Sequence, residues 1–193
     1  MYSIKNYKLI LASASPRRQQ LMKDAGLTFE VRLKKIVEDY PKDLPLEKVP
    51  EYLSKVKAEA FREELQPDEV LVTADTVVCI HGKILGKPAS RAEAISMLRE
   101  LSGNRHLVVT GVSVTTKTKQ ISFSALTNVF FKELSDEEIE YYVDVYKPFD
   151  KAGAYGIQEW IGYIGIERIE GSFYNVMGLP VQKLYETLRM LQF

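Results

Sequence analysis

The chain has 193 residues, 26 basic and 26 acidic, and no formal net charge. That balance argues against a duplex-binding domain, which carries a basic excess. Apolar residues at 46% suffice for a core and exclude a disordered chain.

The length fits one domain or two closely packed lobes. No apolar run approaches the ~18 residues of a membrane span, and the N-terminal apolar stretch is too short for a secretory signal. The expectation is a cytoplasmic protein with no nucleic-acid or membrane partner. Cys79 is the only cysteine; it lies in the run Val77-Val78-Cys79-Ile80 and reads as a core thiol.

In chain order, Leu9–Ala12 reads as a buried strand. Ser15 then caps a helix with Pro16 at its first position, running through Leu21 and Met22 and stopping at Gly26. Thr28–Leu33 reads as a second strand. Val49, Leu53, Val56, Ala60 and Phe61 recur at helical spacing and predict a helix from Pro45 to about Leu65. Val70–Thr73 reads as a strand that resumes at Val77–Ile80 after the break Ala74-Asp75-Thr76. His81-Gly82 is a hairpin turn, with Lys83–Leu85 returning. Ser90 with Glu93, and Ser135 with Glu138, form capping boxes that open two more helices. Between them, Leu107–Thr115 and Ile121–Phe131 form a long hairpin. Asp150–Gln158 is a loop, Ile161–Glu170 a strand pair, and Gly178-Leu179-Pro180 opens a C-terminal helix. The fold class is α/β with a mixed sheet.

Four segments carry chemistry. In Ser13-Ala14-Ser15-Pro16-Arg17-Arg18, two arginines in the first turn of a helix oppose its dipole. An anion there reverses the sign, because hydroxyls, backbone N–H groups and guanidinium forks would converge on it. The plain alternative is a solvated arginine pair, with Ser15 only capping. In Thr73-Ala74-Asp75-Thr76, the carboxylate could hold Mg²⁺ or orient a water; the alternative is a polar bulge with Asp75 bonded locally. In Gly86-Lys87-Pro88, Lys87 is either a phosphate-binding point charge or an exposed turn lysine. The loop from Asp150 to Gln158 allows close backbone approach to a ligand. His81 and His106 sit at apparent turns and read as solvated or structural histidines.

These segments, in this order, resemble the Maf family of nucleoside triphosphate pyrophosphatases. The S-x-S-P-R-R turn, A-D-T, G-K-P, L-S-G with a following histidine, D-K-A-G-A-Y-G-I-Q, and G-x-x-x-x-V-x-G-L-P from Gly171 to Pro180 span nearly the whole chain. The resemblance implies one Maf-like domain over residues 1–193: a mixed, strongly bent sheet with flanking helices and two lobes around a deep cleft, similar to inosine triphosphate pyrophosphatases. It implies that Asp75 is the catalytic carboxylate, and that Ser13, Arg18, Lys57 and Lys87, with Ser15, bind phosphate. It implies that Asp75 and Glu38 hold a divalent cation, Mg²⁺ or Mn²⁺. Many members of the family are homodimers. Arg17, Thr76 and Gln158 resemble the branch acting on dTTP and UTP. The other branch acts on 7-methyl-GTP, and the family's link to septum formation leaves open a nucleotide-binding regulator without turnover. Arg18 and Lys87, read as turn cations without a packing role, predict alanine variants of near-normal stability.

Overall fold

The computed structural model describes residues 7–191. Its strands are β1 (Lys8–Leu11), β2 (Glu30–Val31), β3 (Glu69–Ile80), β4 (Lys83–Leu85), β5 (Arg105–Thr115), β6 (Gln120–Phe131) and β7 (Ile166–Glu170). They form a mixed sheet in the order β2-β1-β3-β5-β6-β7, with β4 paired to β3 off that path. β1 runs parallel to both β2 and β3, whereas β3–β4 and β6–β7 are antiparallel. The helices are α1 (Pro16–Asp24), α2 (Val49–Glu59), α3 (Arg91–Leu101), α4 (Asp136–Tyr146), α5 (Trp160–Gly165), α6 (Phe173–Met177) and α7 (Val181–Met190). The predicted α/β class with a mixed sheet and helices is what the chain forms.

Local chemistry explains most boundaries. Ser15 Oγ accepts from the Arg18 amide at the start of α1, and Pro16 follows at the first position. Gly26 ends the turn after α1 with φ +73°. His81 and Gly82 both have positive φ, 49° and 75°, which suits the tight β3–β4 hairpin. Ser135 and Glu138 close the predicted capping box of α4 in both directions. At α3, Ser90 Oγ accepts from the Glu93 amide as predicted, but the Glu93 carboxylate takes the Ala89 amide, one residue early.

Several expectations need correction. Ala74-Asp75-Thr76 does not interrupt the strand; β3 runs unbroken over twelve residues. The ladder bonds are made by backbone groups, so two polar side chains do not stop it. The second strand shrinks to Glu30–Val31. The helix expected from Pro45 is a short 3₁₀ turn, Leu46–Lys48, followed by α2, which ends at Glu59. Ile161–Gly165 is helical rather than a strand, and only Ile166–Glu170 pairs with β6. Helix α6 has no counterpart in the sequence reading.

The chain divides into two units. The first comprises the chain up to Asp75, Thr110–Ala125, and the chain from Gly178 onward. Its buried cluster sets Ile10 of β1 and Leu71 of β3 against Ala58, Phe61 and Leu65. Helix α2 comes unusually close to β5 here. A Cβ on Gly111 would lie 2.1 Å from the Glu51 backbone nitrogen, so only glycine fits. The irregular segment after β2 is held by cations: Arg32 forks onto both oxygens of Glu69 (2.8 and 3.1 Å), and Lys34 donates to the Ala60 carbonyl (2.7 Å).

The second unit comprises Thr76–Val109 and Leu126–Met177. Leu98 and Leu101 of α3 and Ile139, Tyr142 and Val143 of α4 pack with Val78, Val108, Val129 and Phe131 of the strands. Cys79 is buried, as expected of a core thiol. His106 is not at a turn: it is buried in β5, with Nε2 2.7 Å from the Tyr155 hydroxyl and its ring stacked on Phe131. Burial pushes its pKa from the ordinary 6.5 down to about 3. The unfolded chain therefore binds a proton below pH 6.5 that the native protein refuses, so stability falls as pH drops from 6.5 toward 3. This residue should cost about 3 kcal/mol near pH 4.5 relative to pH 7. Urea titrations at the two pH values check this; His106→Gln should flatten that difference.

Candidate active site

The first unit holds seven of the residues named above: Ser13, Ser15, Arg17, Arg18, Glu38, Lys57 and Asp75. Ser13 follows β1, and Arg18 lies in the first turn of α1. The Arg18 guanidinium reaches back to donate to Ser13 Oγ (3.3 Å), the Ala74 carbonyl (3.0 Å) and the Gly178 carbonyl (2.8 Å). Ser13 Oγ also accepts from the Ser15 amide (3.3 Å). One guanidinium thus ties the first turn of α1 to β3 and to the start of the C-terminal segment. Burial lowers the Arg18 pKa and Asp75 opposes that shift; an arginine so far above neutrality stays charged. Arg17 is half-buried beside it.

Asp75 stands in mid-strand on β3. Its Oδ1 accepts from Lys57 Nζ of α2 at 2.7 Å, and Glu38 Oε1 lies 3.0 Å from the same ammonium. Lys57 and Asp75 are each only 13% exposed, whereas Glu38 is half exposed. Two carboxylates therefore converge on one cationic point, with a second cation, Arg18, bonded to the residue preceding Asp75.

Sequence reading missed what sets this geometry. Thr73, two residues before Asp75 and on the same strand face, donates to the Ser54 carbonyl of α2 (2.7 Å). Ser54 lies one helical turn before Lys57, and its hydroxyl pairs with Ser113 of β5 (2.8 Å), which pairs with Ser122 of β6 (2.8 Å). The strand and helix are thus latched one step behind the Lys57–Asp75 pair. The available signal was Thr73 and Ser54 as polar residues within apolar periodic runs.

Thr76, Lys87 and Gln158 belong to the second unit. Thr76 is half-buried, on the opposite strand face from Asp75. Lys87 is exposed, and the Gly86 carbonyl beside it accepts from the Gly153 amide (3.0 Å), pinning the G-K-P turn to the D-K-A-G-A loop. Gln158 Oε1 is buried and has no hydrogen-bond partner among the described residues.

The expectation that Arg18 has no packing role is overturned by its three bonds. Arg18→Ala would remove all three bonds, so it should lower stability by about 2 kcal/mol or more as well as impair turnover. Lys87→Ala, at an exposed turn, should leave stability within about 0.5 kcal/mol. Thermal melts of the two variants side by side separate the cases.

A family model described as Maf-like protein matches residues 8–191. The chain belongs to this family. Over 190 residues it is 56% identical to a dTTP/UTP pyrophosphatase of Bacteroides thetaiotaomicron, covering 98% of each chain. It is 54% identical to a protein of the same description from Phocaeicola vulgatus, covering 98% of each. A third, from Porphyromonas gingivalis, is 55% identical, covering 97% of this chain and 96% of the relative. Among solved structures, the Staphylococcus aureus Ham1 protein matches with a TM-score of 0.45 at 15% identity, over 64% of this chain and 71% of its own, too distant to add to the assignment.

Proposed function

We propose that this family member hydrolyses a nucleoside triphosphate, dTTP or UTP above others, to the monophosphate and pyrophosphate. The observation carrying the reading is the convergence of the Asp75 and Glu38 carboxylates on Lys57, with Arg18 bonded to the backbone beside Asp75. The dTTP/UTP pyrophosphatases from three organisms support the substrate class. Among the described residues no helix is long and apolar enough to cross a membrane. A cytoplasmic location fits a soluble nucleotide substrate.

Asp75 serves as general base, accepting a proton as water attacks the α-phosphorus. The bond from the α-phosphorus to the bridging oxygen breaks, and pyrophosphate leaves with the electron pair. Lys57 and Arg18 offset the charge on the phosphate oxygens, and the family resemblance supports Ser13, Ser15 and Lys87 as further phosphate-binding residues. The family resemblance supports Gln158, with Arg17 and Thr76, in base selection; the Gln158 carboxamide offers a donor and an acceptor, matching O4 and N3–H of thymine or uracil.

The donors also fit a divalent cation. Carboxylate oxygens of Asp75 and Glu38 already meet at a position of positive charge, the kind of set that holds Mg²⁺ or Mn²⁺ together with substrate phosphates. Among the described residues no group of three or more His, Cys, Asp or Glu side chains could hold a metal alone. Asp75 and Glu38 would therefore share the ion with the triphosphate. A bound cation would neutralise phosphate charge and polarise the P–O bonds.

The deciding experiment compares kcat/KM for dTTP, UTP and 7-methyl-GTP with detection of released pyrophosphate. A clear lead for dTTP and UTP is expected. A lead for 7-methyl-GTP would move the chain to the other branch, and nucleotide binding without pyrophosphate release would leave a regulator.

A further inference from the structure

The second unit contains an ionic network, centred on a buried lysine, that none of the chemistry above uses. Lys151 is 7% exposed, and its ammonium lies 2.8 Å from Asp150 Oδ1 and 3.0 Å from Glu159 Oε1. The other oxygen of Glu159 accepts a short hydrogen bond from the hydroxyl of Tyr142, a fully buried residue of α4. That same hydroxyl accepts from the Gly156 amide at 2.9 Å. Tyr142 is thus donor to one end of a four-residue turn and acceptor from the other.

Gln158 lies inside that turn. The Glu159 amide closes it by donating to the Gly156 carbonyl (3.0 Å). Above Gly156, the space a Cβ would fill is taken by Gln158 Nε2 and the Glu159 carboxyl, each 2.9 Å from that point. Both side chains therefore cross the bare face of this glycine. Gln158 Oε1, buried and without a partner among the described residues, is a desolvated acceptor, costly to leave unmatched. Burial, and then the Glu159 carboxylate, push the Tyr142 pKa up, so its hydroxyl keeps its proton and its donor role at neutral pH.

We propose that Tyr142 and Glu159, with Lys151 as counter-ion, are positioning residues for base selection: they fix the Gly156–Glu159 turn and so aim the Gln158 carboxamide. This rests on the reading of Gln158 as the residue that meets the base. Neither Tyr142 nor Glu159 touches the nucleotide; they remove the freedom of the group that does.

The test uses the full chain with Tyr142→Phe, which removes one hydroxyl, and Glu159→Gln, which keeps shape and loses charge. Gln158→Ala runs beside them. The readout is the ratio of kcat/KM for UTP to that for GTP. Each positioning variant should lower the ratio about 10-fold, mainly through KM for UTP, approaching the Gln158→Ala value. Amide exchange at Gly156 should accelerate in Tyr142→Phe. If Gln158→Ala collapses the ratio while both positioning variants keep it, the positioning role falls and the base assignment stands. If Gln158→Ala leaves the ratio intact, both fall. An equal loss for every nucleotide, or wild-type protection of Gly156 in Tyr142→Phe, also overturns the proposal. Should Tyr142→Phe fail to fold, Glu159→Gln decides alone.

Discussion

Asp75→Asn should lower kcat for pyrophosphate release by about 10²–10⁴-fold, the usual contribution of a positioned general base. The exchange preserves size and leaves an oxygen that can still accept from Lys57, while removing the basic electron pair. Lys57 keeps Glu38 as its counter-charge. The pair is largely buried, but because Lys57 keeps both a hydrogen-bond acceptor and a counter-charge, the stability loss should stay below the ~3–5 kcal/mol of a buried charge left unpaired. The β3 ladder is made by the backbone and is untouched. Melting temperature and turnover measured on the same preparation separate chemistry from folding. Near-normal kcat in folded protein would remove Asp75 from the mechanism.

Gly111→Ala should cost about 3 kcal/mol or more and abolish most activity, although Gly111 touches no proposed substrate group. The new Cβ would lie 2.1 Å from Glu51 N, 2.2 Å from Pro50 C and 2.4 Å from Glu51 Cα. All three are backbone atoms, so no side chain can swing aside. Overpacking by one methyl typically costs about 1–3 kcal/mol where neighbours can adjust. Here the start of α2 must lift from β5. That motion breaks the Ser54–Ser113 and Thr73–Ser54 bonds and carries Lys57 away from Asp75. A misplacement of about 1 Å can cost on the order of 10² in rate. Urea unfolding and pyrophosphate release measure the two effects. Gly86→Ala is the matched control for stability, since a Cβ there meets nothing within 4 Å. If Gly111→Ala were as stable as that control, the close approach of α2 would not be what places Lys57.

Local signals were legible wherever a side chain bonds its own neighbourhood. The Ser15-Pro16 start of α1, the Ser135 box and the His81-Gly82 turn all follow from contacts within four residues. Patterns failed where packing decided the conformation. Ile161-Gly162-Tyr163-Ile164 reads as the start of a strand pair. Yet Gly162 lies so close to the Ile157 carbonyl that a Cβ would sit 1.8 Å from its oxygen, an approach available to the helical turn. The break expected at Ala74-Asp75-Thr76 confused side-chain polarity with backbone pairing.

The site was partly legible. Two arginines opposing a helix dipole pointed to an anion, and a carboxylate in an apolar strand pointed to chemistry. Nothing local tied Lys57 to Asp75, eighteen residues on, or Glu38 to either; those positions came from the family pattern. Arg18 was misjudged because its partners at Ala74 and Gly178 are 56 and 160 residues away.

The two strands that end the sheet bear on how the protein behaves in a crowded solution. With no formal net charge at pH 7, copies of this chain feel little long-range repulsion. Edge-to-edge pairing must therefore be discouraged by the edges themselves. β2 offers only two residues to an incoming strand. β7 reads Ile166-Glu167-Arg168-Ile169-Glu170; Arg168 lies over the Phe130 ring and bonds Glu170. A neighbouring chain adding a strand there would have to strip water from three charges, a barrier of the kind that keeps natural sheets from propagating.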